Sequence, residues 1–80
     1  PSEAPNDSDV ARLFNLLGLL YQGTQRYTEA EAAYEKALEI YQSLSEQNHV
    51  VFEPELAVVY NNVGNLYIDK CFLWCYNIQK

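Results

Sequence analysis

The segment "ARLFNLLGLLY" at 11–21 returns, altered but recognisable, as "AVVYNNVGNLY" at 57–67. Ala11/Ala57, Asn15/Asn61, Gly18/Gly64, Leu20/Leu66 and Tyr21/Tyr67 are identical pairs, and Phe14/Tyr60 and Leu17/Val63 are conservative ones. The offset is 64 − 18 = 46 residues. A period of roughly 20–50 residues marks a stacked array of supersecondary units, none of which can bury its apolar side alone. A chain of 80 residues holds one such unit and part of a second, within a single domain at most.

Helical periodicity fills the frame. Val10, Leu13, Phe14, Leu16, Leu17, Leu20 and Tyr21 suit a first helix that is apolar around most of its girth, and such a helix needs cover on more than one side. Ser8 is the expected N-cap, Asp9 suits the first turn, and Gly23 is available for a left-handed ending. Thr28-Glu29-Ala30-Glu31 reads as a capping box, in which Thr28 caps and Glu31 reaches back. The second helix runs from there to about Gln47. Ala30, Ala33, Tyr34, Ala37, Ile40, Tyr41 and Leu44 share one face, while Glu31, Glu35, Glu39 and Glu46 form an opposite, solvated ridge. Its small residues let a neighbouring backbone come close, as a tight antiparallel pair requires. Residues 46–53 are the expected connector, with Pro54 in the first turn of a third helix.

The spacing of these residues resembles the tetratricopeptide repeat. Its pattern of aromatic, Leu-Gly, Tyr, Ala, aromatic and Ala is met by Phe14, Leu17-Gly18, Tyr21, Ala30, Tyr34 and Ala37. Tyr60, Val63-Gly64 and Tyr67 begin a second copy. The usual repeat is 34 residues long, and the 46-residue unit looks like the extended bacterial and kinesin-light-chain type. The resemblance implies an all-α fold of about one and a half units, a helix hairpin followed by a third helix. Residues 1–7 are expected as a flexible lead-in, 8–53 as the first repeat and 54–80 as a partial second.

After Tyr67 the pattern fails. In the 46-residue frame Trp74 replaces the capping Thr28, Cys75 replaces Glu29 and the bulky Tyr76 replaces Ala30. "IDKCFLWC" holds no Gly or Pro stop signal. The expectation is that the third helix continues past Lys70 to about residue 78. Leu56, Tyr60, Val63, Tyr67, Trp74 and Ile78 would then share an apolar seam. The rival is a turn near 69–71 and a short fourth helix.

The resemblance also implies a role. First helices of such pairs line a concave groove that receives a partner's extended peptide or helix. Carried over, that strip is Arg12, Asn15, Leu19 and Gln22, then Asn61, Asn62, Asn65 and Asp69, with Asn62 ranked first. Asn suits a peptide backbone because its amide both donates and accepts. The plainer alternative is an exposed polar helix face. A second function class is structural: a segment of a longer solenoid that stacks and self-associates through Tyr67, Phe72, Trp74, Tyr76 and Ile78. Solenoids need roughly three stacked units for stability, so a homo-oligomer is expected, with exchange of the third helix as one route.

Composition narrows the alternatives. A net charge of −6, from 11 acidic and 5 basic residues, argues against nucleic acid or an anionic membrane surface as partner. No apolar run approaches the roughly 20 residues of a membrane span. The polar "PSEAPNDSD" opening is no secretory signal, and without an initiator Met the chain reads as processed or as part of a longer protein. Cys71 and Cys75 are expected as buried or half-buried thiols, poorly placed for a disulfide, and a reducing, cytoplasmic setting is the default. With His49 remote in the connector they fall short of a zinc site, and nothing pairs a nucleophile with a base. No cofactor and no enzyme activity are expected.

Overall fold

The computed structural model describes the backbone of residues 3–79 and the side chains of residues 7–76. The chain is all α, in the order α1 (Glu3–Gly23), α2 (Tyr27–Gln47) and α3 (His49–Gln79), with no strand among the described residues.

α1 begins earlier than expected. Residues 3–7 form its first turns, so Ser8 lies inside the helix and is not its cap. Pro5 falls in the first turn, where its missing N–H costs nothing. Residues 1 and 2 lie outside the described residues.

The left-handed residue that ends α1 is not Gly23 but Gln25, at φ 63°. Gln25 N–H donates to the Gln22 carbonyl at 3.0 Å, and Arg26 N–H donates to the Tyr21 carbonyl at 2.8 Å. These are the two bonds of a Schellman ending. The Arg26 guanidinium stands 5.3 Å from the centroid of the Tyr21 ring, where that motif ordinarily has an apolar contact.

The capping box is also corrected. Arg26 is the N-cap of α2 and makes no side-chain cap bond. Thr28 is already helical, and its neighbour Glu29 pairs with Arg26 at 2.9 Å. Glu31 turns away from the helix start toward α3. The connector expected over 46–53 shrinks to Asn48. Asn48 N–H closes on the Leu44 carbonyl at 2.9 Å, and Phe52 N–H reaches the Asn48 carbonyl at 3.2 Å. His49 therefore lies in the first turn of α3, paired with Glu53 at 3.0 Å, and not in a loop. Pro54 is in the second turn of α3, not the first. α3 then continues without a turn through 69–71, as the missing stop signals predicted.

α2 is the central helix, antiparallel to both neighbours. Ala30, Ala33, Tyr34, Ala37, Tyr41 and Leu44 are buried, and Ile40 packs against them half-buried. This is the apolar face read from the sequence. Ala11 of α1 and Val59 and Leu66 of α3 complete the core. Gly18 makes the closest approach, because a Cβ there would run into the Tyr34 ring. Its repeat partner Gly64 has nothing within 4 Å. The glycines that occupy equal places in the repeat thus stand in unlike surroundings. Among the described residues nothing covers Gly64, since α3 runs straight on where the repeat frame would turn back.

Candidate protein-binding surface

α1 and α3 run parallel, and two bonds of equal sequence offset tie them together. Asn62 Nδ2 donates to Asn15 Oδ1 at 2.9 Å, and Gln22 Nε2 donates to Asp69 Oδ2 at 2.8 Å. Asn15 and Gln22 are seven residues apart, as are Asn62 and Asp69, so both pairs fall at matching levels of the two helices. The Tyr34 hydroxyl adds a third member by donating to Gln22 Oε1 at 2.8 Å. Burial and then the nearby Asp69 carboxylate push the Tyr34 hydroxyl above its usual pKa.

The seven residues of the expected groove strip, with Asp69, are therefore sorted by the fold into two roles. Asn15, Asn62 and Gln22 join the helices to each other. Asn62 keeps a second amide hydrogen and its own carbonyl oxygen for other work. Arg12, Leu19, Asn61 and Asn65 are exposed. Arg12 lies 3.7 Å from Asp9 across one helical turn. Sequence periodicity placed these residues on one strip. It could not show that Asn15 and Asn62 would bond across it.

The acidic ridge of α2 is exposed at Glu35, Glu39 and Glu46, but not at Glu31. Glu31 Oε2 accepts from the Tyr67 hydroxyl at 2.9 Å, and Glu31 Oε1 pairs with Lys70 at 3.4 Å. The bond to Glu31 is the first cause of a raised Tyr67 pKa. At the other end of α2, Gln42 Nε2 donates to the Tyr60 hydroxyl at 2.9 Å. These links between α2 and α3 were not foreseen, since the sequence signal for each was only a polar residue on a ridge.

The C-terminal half of α3 is exposed at Tyr67, Phe72, Trp74 and Tyr76. The side chain of Ile78 lies outside the described residues. In the expected seam, Leu56 and Val63 pack against the core, while Tyr60, Tyr67 and Trp74 stay exposed. Tyr27, Tyr67, Lys70, Cys71, Leu73 and Trp74 line an open groove of about 490 Å³. Cys71 and Cys75 are exposed, which corrects their expected full or partial burial, and neither is in a disulfide. Desolvation, then the neighbouring Cys71, raises the Cys75 thiol pKa. Among the described residues, no group of three or more His, Cys, Asp or Glu could hold a metal, and no helix is long and apolar enough to cross a membrane.

A hairpin of helices joined by a tight turn, with a third helix stacked parallel to the first, defines a helical-repeat protein. The tetratricopeptide repeat family profile matches residues 9–70, and the chain belongs to that family. No curated protein and no solved structure matches it. Tetratricopeptide repeats are in general protein–protein interaction modules.

Proposed function

We propose that the chain binds an extended peptide or a helix of a partner protein along the strip formed by α1 and α3. The single observation that carries this reading is the Asn15–Asn62 bond at 2.9 Å, which holds two amides side by side at the seam between the two first-of-pair helices. With Asn61 and Asn65 exposed beside them, the seam offers both donors and acceptors to a peptide backbone. The work is binding rather than catalysis, in a cytoplasmic, reducing setting, and is not directed at nucleic acid or membrane.

A library of extended peptides displayed on phage supplies ligands, and calorimetry on the selected sequences tests the strip. Asn62→Ala and Asn61→Ala should weaken peptide binding by tenfold or more while leaving the helical circular dichroism intact. Unchanged affinity in both variants would remove the strip as the binding surface.

A second reading is that the chain is a structural segment of a longer array, and that it stacks and self-associates through its C-terminal helix. The exposure of Phe72 and Trp74, at 77% and 64%, near the end of α3 favours it. Loss of assembly in Trp74→Ala and Phe72→Ala, with the asparagine variants silent, is its signature.

A further inference from the structure

Cys71 and Cys75 are both exposed on α3. Four residues of helix set them ~40° apart around the axis and ~6 Å apart along it, so the two thiols share one face. They are also within reach of each other, since Cys71 is the hydrogen-bond partner of the Cys75 thiol. Cys71 stands ~180° around α3 from Asn62, on the side away from the amide seam.

What such a pair can do is narrowed by geometry. A helix keeps Cβ atoms four residues apart at ~5–6 Å, whereas a disulfide needs them at ~3.8 Å. A direct sulfur–sulfur bridge would therefore distort the turn. An ion placed between the sulfurs lengthens the bridge by one atom and removes that conflict. Two thiolates do not complete a structural zinc site or an iron–sulfur cluster, each of which takes about four ligands from the protein. Among the described residues, no group of three or more His, Cys, Asp or Glu could hold a metal. His49, at the far end of α3, lies ~33 Å from Cys71 along the axis. The cation that fits is one that prefers thiolate sulfur and is satisfied by two ligands in line. Copper(I), soft and with a filled d shell, meets both conditions.

We propose that Cys71 and Cys75 together bind one copper(I) ion in a linear, two-coordinate dithiolate site. This site does not rest on the peptide-binding reading above. The Cys75 thiol sits above its usual pKa and so rests protonated at neutral pH. Binding releases one proton from each sulfur, and the complex of one cation with two thiolates carries a net charge of −1. No oxidation state changes in the step. Trp74, the one tryptophan of the chain, lines the same groove as Cys71. A copper ion held at Cys71 is therefore close to the indole and quenches its emission.

The test uses the whole reduced chain without oxygen. Copper(I), supplied as its acetonitrile complex, is titrated against the coloured chelator bicinchoninate. The chain should withdraw one copper per copy from the chelator, while remaining at its unliganded mass on a sizing column. Tryptophan emission should fall to an end point at the same stoichiometry. Cys71→Ser and Cys75→Ser should each weaken binding by about a hundredfold or more, and should abolish the quenching, with helical circular dichroism unchanged. Leu73→Cys combined with Cys75→Ser keeps two thiols but sets them ~200° apart around the helix, so it should behave like Cys75→Ser alone. Copper uptake that is equal in the single-serine variants or in the displaced pair overturns the proposal. So does one copper shared between two copies, which would make the ion a bridge between chains, and so does a chain that leaves all the copper with the chelator. Zinc bound as tightly as copper(I) would overturn the choice of metal, and with it the two-coordinate site.

Discussion

The Tyr34 ring covers the backbone of Gly18 so closely that a Cβ on residue 18 would overlap its Cε1 and stand 2.8 Å from its Cζ. That contact fixes how near α1 and α2 approach. It also explains why the same residue type plays a different part at its repeat partner, where the ring's counterpart is missing.

Gly18→Ala is therefore expected to destabilise by ~1–3 kcal/mol, the usual cost of an overpacked core. Gly64→Ala should do the reverse and stabilise by up to ~1 kcal/mol, because only helix propensity changes there. Thermal unfolding at low micromolar concentration checks both. A shift of ~4–8 °C per kcal/mol is expected for a chain of this size. Shifts of the same sign in the two variants would contradict the packing described.

Gln25 holds a left-handed conformation that glycine adopts freely. Gln25→Gly should stabilise the chain by ~0.5–1 kcal/mol by relieving that strain. Gln25→Val should destabilise, since a β-branched residue tolerates positive φ poorly. Chemical denaturation of the two variants gives opposite changes in midpoint if the α1–α2 turn is built as seen.

The Asn15–Asn62 bond joins helices that otherwise touch lightly. A double-mutant cycle with Asn15→Ala and Asn62→Ala should return a coupling of ~0.5–1.5 kcal/mol. A coupling near zero would mean that the two amides act independently, which would leave Gln22–Asp69 as the direct polar tie between α1 and α3.

Tyr34 and Tyr41 both have raised pKa values, with burial as the first cause, followed by Asp69 for Tyr34 and Glu55 for Tyr41. An unfolded tyrosine ionises near its ordinary value of 10.0, while the folded one resists. Ionisation then favours the unfolded chain, so this contribution is intact below about pH 10 and is lost as pH rises beyond it. Melting temperatures should be level between about pH 8 and 9 and fall above about 10, and Tyr34→Phe should blunt the fall. Circular dichroism melts with tyrosinate absorbance report both events.

Much of this fold was legible in the residues themselves. The face of α2 from Ala30 to Leu44 announced itself because burial selects residue type at 3.6-residue spacing. The continuation of α3 past Lys70 was legible because nothing in 69–76 stops a helix. Helix beginnings were not. Ser8 and Thr28 had cap chemistry, yet helices already running from Glu3 and Tyr27 absorbed them. Capping contributes only ~1 kcal/mol, so a residue with cap chemistry does not by itself decide where a helix begins.

What the sequence determined by itself is the 46-residue repeat, the all-α class and the apolar faces, all of which are periodic and local. What tertiary structure alone decided is which repeated residues find partners. It set Gly18 under a ring and left Gly64 bare, drew Glu31 from its helix start to Tyr67 and Lys70, and joined Asn15 to Asn62. Such pairings depend on how three rigid helices settle against one another, and contacts 36 or 47 residues apart in the chain leave no periodic trace in it.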